Sequence, residues 1–443
     1  MAIVLLAVFI VLFIIEYRIQ KNFVSPVSLL LLSFIMGFFF ISINYVNWEV
    51  HINYTFVLYI FTAVLSFAAG AFAVERICKV KSAGASEDRF MPAAGEKYPA
   101  LLLLIITVVC VLVYFAIVFK RIGLSGGIET VLFRVNKELN SHSSNFLMHQ
   151  MIEIVIAIGK INVLEFFILK YLGAGKNRIK TYSLILMQLM FTAMCAVLSS
   201  DRNIILRFFI YTMCLWIFFF ISTTKEKIDK ANMKIFVRAA VCVLAAAVLF
   251  FALGKMKKAT SDFGKMMGKY GGTGLYNFNL HLLKDEELTY GKSTFLLLDN
   301  TLRSFGIPGD ENGDGGASEE ILVDEFTKYK SQNGFIYSSN IYSAMRPYAD
   351  DFGLIGMVIF PGFMGMFFEL LYVFAKKYRF GFAWAFYAIT VYPVVYFAIA
   401  EQFFRRLHLG IVYELGWFTV IYICIYYFGK NRVYRPVAEP VSG

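Results

Sequence analysis

Mostly apolar runs broken by short polar stretches recur along the whole chain, at 2–19, 26–46, 54–75, 99–119, 149–171, 181–200, 204–222, 235–254, 352–375, 381–400 and 409–428. Each approaches the roughly 17 to 25 residues that a helix needs to cross a hydrocarbon core. The pattern therefore predicts about eleven transmembrane helices. The first run is the shortest, uncharged only from Ala2 to Ile15. It has neither a basic start nor a small-residue cleavage site, so it is read as a retained helix. No repeat of fixed period is present.

One stretch, 255–351, is far longer and more polar than any other connection. Its apolar stripes, Tyr270, Tyr276, Phe278, Leu280, Leu282 and Phe295 to Leu298, predict short helices that lie on the membrane or pack over the spans, separated by glycines. The expected organisation is helices one to eight in 1–254, a large extracytoplasmic loop in 255–351, helices nine to eleven in 352–428 and a tail in 429–443. The fold class is an all-α polytopic membrane protein.

Composition agrees. The 443 residues are 59% hydrophobic and 16% charged, against about 25% charged in a soluble domain. A soluble enzyme, a disordered regulator and a nucleic-acid binder are excluded, although the net charge is +11. Most of the six cysteines lie in apolar runs, so no disulfide framework is implied.

The charge is unevenly shared between alternate connections. One set holds 22 Lys and Arg, the other short ones eight. Basic residues are retained in the cytoplasm. The set of 22 is therefore cytoplasmic, the N-terminus outside, the C-terminus inside and the long loop outside.

Six of the eight outer cations are arginines, namely Arg121, Arg134, Arg202, Arg207, Arg405 and Arg406, and the long loop adds Arg303 and Arg346. Arginine suits planar, bidentate contact with phosphate, and a cation kept outside runs against the topogenic bias. An outward anionic site is one reading; helix capping, pairing with neighbours and lipid headgroups are the other. Glu401 and Arg405 are spaced as a helical i, i+4 pair. Glu153, Glu165, Asp201, Glu369, Glu401 and Glu414 lie in or beside the runs, where a carboxylate needs a cavity or a partner. Glu153 and Lys160 share a helix face two turns apart. Glu369, late in the ninth run, falls near the expected cytoplasmic side.

The ninth run is preceded by Ser339-Asn-Ile-Tyr342-Ser-Ala-Met-Arg346-Pro-Tyr348-Ala-Asp350-Asp351-Phe-Gly353-Leu-Ile-Gly356. Pro347 holds Arg346 extended, Asp351 suits a helix N-cap, and Gly353 and Gly356 permit close helix approach. That stretch, entering a span after a long outer loop, resembles the oligosaccharide repeat unit polymerases, the Wzy-type O-antigen and capsular polysaccharide polymerases of bacteria. The segments from Gly123 to Arg134 and from Ser199 to Arg202 also look like outer-face segments of that family.

The resemblance implies a bundle similar to the GT-C class and a place in the bacterial cytoplasmic membrane. It implies polymerisation of undecaprenyl-pyrophosphate-linked repeat units at the outer face, with membrane lipids and a chain-length regulator as partners and with neither cofactor nor metal. Arg202, Arg346 and Arg405, backed by Arg134, Arg207 and Arg406, would steady the departing pyrophosphate. Asp350, Asp351, Glu401 and His408 are the candidate general bases, and Tyr342 and Tyr348 the candidate sugar platforms. An O-antigen ligase shares the donor, and a flippase for lipid-linked oligosaccharides or another transporter shares the helices and the charge. A non-catalytic assembly subunit is a further alternative. Asp310 to Ile321 fits an EF-hand loop except at its twelfth position, where Ile321 replaces the glutamate.

Overall fold

The computed structural model describes residues 1–78, 86–87, 97–123, 130–131, 133–135, 146–172, 178–199, 202–223, 268, 270–284, 287–295, 325–379, 381–404 and 409–429. The chain divides into two compact units, neither continuous in sequence. The first comprises Met1–Ala83, Ala247–Lys377 and Thr390–His408, and the second Gly84–Ala246, Tyr378–Ile389 and Leu409–Gly443. The expected outer loop is thus not a separate body, because its described residues belong to the first unit.

Helices fall at nine of the eleven expected runs: α1 (Ala2–Gln20), α2 (Pro26–Ile43), α3 (Tyr54–Cys78), α4 (Lys97–Ile122), α5 (Phe146–Leu172), α6 (Arg178–Leu198), α7 (Arg202–Thr223), α9 (Met345–Lys377) and α12 (Leu409–Gly429). Among the described residues seven helices are long and apolar enough to cross a membrane, the mark of a helical membrane protein. The expected run 235–254 lies outside the described residues.

The run 381–400 is not one helix. It forms α10 (Phe382–Thr390) and the four-residue α11 (Tyr392–Val395), followed by turns to Ile399. Pro393 supplies no backbone N–H and sits in the first turn of α11, where none is required. At 1.5 Å per residue, the nine residues of α10 extend only about 14 Å, too short to cross a bilayer.

In the first unit α3 and α9 approach through glycines. A Cβ on Gly365 would stand 2.0 Å from the Phe67 carbonyl oxygen, and one on Gly70 would stand 2.1 Å from that of Gly362. Only hydrogen fits at these positions, which lets dispersion between the two backbones replace a hydrophobic drive that lipid does not supply. Gly365→Ala is therefore expected to separate α3 from α9 at a cost of about 1–3 kcal/mol. A lower thermal midpoint of the purified chain in detergent would be the sign of it, and an unchanged midpoint would deny the close contact. Phe9 of α1 stacks on Phe34 and Phe38 of α2, with centroids 5.1 and 5.5 Å away.

Two further elements of the first unit come from the 255–351 stretch. One is α8 (Thr273–His281); the other is an antiparallel hairpin of β1 (Thr327–Lys330) and β2 (Ile336–Ser339), with Tyr329 opposite Tyr337. Short helices alone were expected here, so the hairpin corrects the all-α reading locally. Its turn is fastened to the turn that follows α2, where the Asn333 amide donates to the Val46 carbonyl at 3.4 Å and the Gln332 N–H donates to the Glu49 carboxylate at 2.5 Å. The Tyr329 and Tyr337 rings stack at 4.9 Å, and Trp48 meets Tyr337 edge-on at 5.3 Å.

In the second unit α5 is the central helix. Met148, Ile152 and Ile156, one turn apart, pack with Tyr114 and Val118 of α4, Ala196 of α6 and Ile204 of α7. On α10, Trp384 stacks on Phe218 of α7 at 5.1 Å.

Candidate functional site

A connected polar group of the first unit is built on α8 and the start of α9. Along α8, Thr273, Asn277 and His281 are spaced four apart and all buried, so one helical stripe is polar and must find partners. Thr273 meets the Ser339 hydroxyl at 3.0 Å. The Asn277 amide donates to the Ile341 carbonyl at 2.8 Å and its oxygen accepts from the Tyr337 hydroxyl at 2.6 Å. Burial pushes the Tyr337 phenol up, keeping it a neutral donor. His281 Nε2 meets Asp350 Oδ1 at 2.6 Å.

Asp350 is the hub. Its second oxygen faces Arg346 Nε, one turn earlier on α9, at 3.4 Å. The Arg346 guanidinium lies 4.0 Å above the centre of the Tyr342 ring, a stacking that a planar delocalised cation favours. The Tyr342 hydroxyl reaches the Glu325 carbonyl at 3.2 Å and Thr327 at 2.9 Å. Beyond it, the exposed Lys284 binds Glu325 at 2.8 Å and holds that carboxyl below the usual range. Arg346 and Asp350 are each 13% exposed at the side chain.

The neighbouring Asp351 has a different task. It is fully buried, and its carboxylate accepts from the Thr289 hydroxyl and from the backbone N–H groups of Ser293, at 3.0 Å, and Thr294, at 2.6 Å. The expected N-cap of its own helix is thus a cap on the turn at 289–294 instead. It holds the loop segment onto α9 and is too enclosed to meet a substrate. Two residues later Gly353, at φ +56° and ψ −137°, breaks α9 into a short leading piece and a long one. A side chain rarely tolerates that conformation.

Tyr348, expected as a sugar platform, is completely buried, its ring stacked on Phe360 at 4.9 Å and edged by Phe404 at 5.9 Å. The ring is fully enclosed, so no sugar ring can stack there. Tyr342 is buried too, with Arg346 over its ring and His281 perpendicular to it at 6.0 Å. Glu401 is likewise structural: its Oε1 accepts from the Tyr348 hydroxyl at 2.9 Å and from the Phe403 and Phe404 N–H groups at 2.8 and 2.7 Å. The stretch 396–404 is not helical, and the expected helical pair of Glu401 falls on Arg405, which lies outside the described residues. Arg405, Arg406, His408 and the calcium-like segment 310–321 lie outside the described residues.

The remaining arginines belong to the second unit. Arg202 opens α7, its side chain outside the described set, and Arg134 is exposed. Arg207, 13% exposed, places NH1 3.5 Å from Glu414 Oε2. The other Glu414 oxygen takes Lys160, itself 1% exposed. Glu153 is a further charge within reach of Lys160, one helix face along. The Lys160 carbonyl accepts from the Tyr211 hydroxyl at 2.7 Å, and Trp417 donates to Gln150 at 2.7 Å. One carboxylate from α12 therefore answers two cations from α5 and α7, which is the pairing alternative for Arg207.

Of the residues expected to act together, Tyr342, Arg346 and Asp350 do meet, whereas Arg207 pairs within the other unit. His281 was not foreseen. Its signal lay in the spacing Thr273, Asn277, His281, which was hidden by the aromatic residues between them. No protein-family model, curated protein or solved structure matches the chain.

Proposed function

We propose that the protein polymerises lipid-linked oligosaccharide repeat units carried on undecaprenyl pyrophosphate, at the outer face of the bacterial cytoplasmic membrane, within a bundle of about eleven spans similar to the GT-C class. The observation that carries this reading is the contact of Arg346, Asp350 and His281, which joins the sequence stretch resembling the polymerases to the loop helix α8. In this reading the long loop is extracytoplasmic, as the excess of Lys and Arg in the opposite connections supports.

The reaction asks for two things. A hydroxyl of the incoming unit must lose its proton as its oxygen attacks the anomeric carbon of the growing chain, and the sugar–pyrophosphate bond must break with the electron pair leaving on phosphate. The Asp350–His281 pair, a carboxylate fixed against an imidazole, takes the proton. Arg346, steadied by Tyr342, meets the negative charge that grows on the departing pyrophosphate. Neither step calls on a metal or a redox group.

The test is expression of the chain in a bacterium whose own repeat-unit polymerase gene has been deleted and whose repeat units it recognises. Polysaccharide with many repeat units should reappear. Transfer of single units alone would favour a ligase, and lipid-linked units held inside the cell in its absence would favour a flippase; either result overturns the proposal.

A further inference from the structure

At the C-terminal ends of α1, α3 and α9, away from the motif stretch, the first unit gathers charges that the proposed reaction does not use. Glu369 is 2% exposed, and its Oε1 is buried with no hydrogen-bond partner among the described residues. A carboxylate left so inside a membrane protein is costly unless it faces a cavity, a partner or a proton. Tyr372 and Lys376 follow it at three and seven residues, on the same helix face. The Lys376 ammonium lies 4.3 Å over the Tyr372 ring.

The charges acting on Glu369 are Lys376 from its own helix, Glu75 from α3 and Glu16 from α1. Gln20 ties them together, donating to Glu75 at 3.1 Å and accepting from Lys376 at 3.3 Å. Ser25 donates to Glu16 at 3.4 Å. Arg18, Arg76 and Lys377 also sit on these helix ends but are not among the charges acting on Glu369, which are one ammonium and two carboxylates. No metal-holding group of His, Cys, Asp or Glu is present among the described residues. Glu369, buried and with one oxygen unpartnered among the described residues, is the carboxyl here that best holds a proton.

We propose that Glu369 is a proton-binding site inside the membrane, exchanging its proton with the aqueous face at these helix ends through the Glu75–Gln20–Lys376 cluster. The inference is independent of the transfer reaction and stands or falls without it. A protonated carboxylic acid has its own infrared carbonyl band, which can be followed while the full chain in lipid nanodiscs is titrated. The wild type should show a band that Glu369→Gln removes. Glu75→Gln, by deleting a neighbouring negative charge, should weaken proton binding several-fold and move the loss of the band to lower pH. Lys376→Met should strengthen it and move the loss to higher pH. A purely structural role would give no such opposed shifts. The proposal is overturned if no band depends on Glu369, if both neighbouring variants titrate like the wild type, or if sodium at constant pH displaces the band.

Discussion

Arg346→Ala is expected to reduce formation of long polysaccharide by about 10²-fold or more, the loss that follows removal of one well-placed donor to a developing oxyanion. The change takes away the guanidinium above Tyr342 and one of the two partners of Asp350, while His281 remains. Arg346→Lys keeps the charge but neither the planar fork nor the stacking, so it should recover only part of the activity. Because each side chain of the pair with Asp350 is only 13% exposed and the guanidinium also covers Tyr342, folding stability should fall by about 1–3 kcal/mol. Polymer length on gels and a thermal midpoint measured on the same preparations separate the two effects. Full activity in Arg346→Ala would remove this residue from the chemistry. A collapse of the midpoint would make its role one of holding the loop.

Glu414→Leu should cost the most stability of any single change in the second unit, about 3–5 kcal/mol, since it removes one partner of a buried ion pair. Glu414 is the shared anion for Lys160 and Arg207, on different helices, and Lys160 and Glu414 are both almost completely buried. Lys160→Met alone should be milder, because Arg207 still meets the carboxylate. The double variant, Lys160→Met with Glu414→Leu, should be less impaired than the sum of the two, for it discards the uncompensated cation together with its partner. Denaturant titration of the four proteins in mixed micelles reads this coupling directly. Additive losses would show that Lys160 and Glu414 act separately.

The sequence made the helices legible because their cause is one-dimensional: a run of apolar residues long enough for a bilayer needs no distant partner to be recognised. Where tertiary partners decide, the reading failed. The residues around Pro393 are as apolar as a span, yet the helix breaks there and Glu401 closes the following turn through backbone N–H groups. The strands of the 327–339 hairpin are four residues each, too short for an alternation to stand out, and are held by the turn that follows α2. Asp350 and Asp351 are adjacent and chemically alike, but helical geometry turns one toward His281 and Arg346 and the other onto the 289–294 turn. Glu153, two turns along the same helix, is one charge near Lys160, but the carboxylate hydrogen-bonded to it comes from Glu414, 254 positions away.

In the proposed reaction pyrophosphate leaves a growing chain at a site built on Arg346, Asp350 and His281. Its most direct test is the purified protein in liposomes supplied with undecaprenyl-pyrophosphate-linked repeat units, with free undecaprenyl pyrophosphate and chain length measured together. The account predicts chains of many units, one carrier lipid released per bond formed, and loss of both with Asp350→Asn. Units that cross the bilayer unchanged in length, with no carrier released, would contradict it.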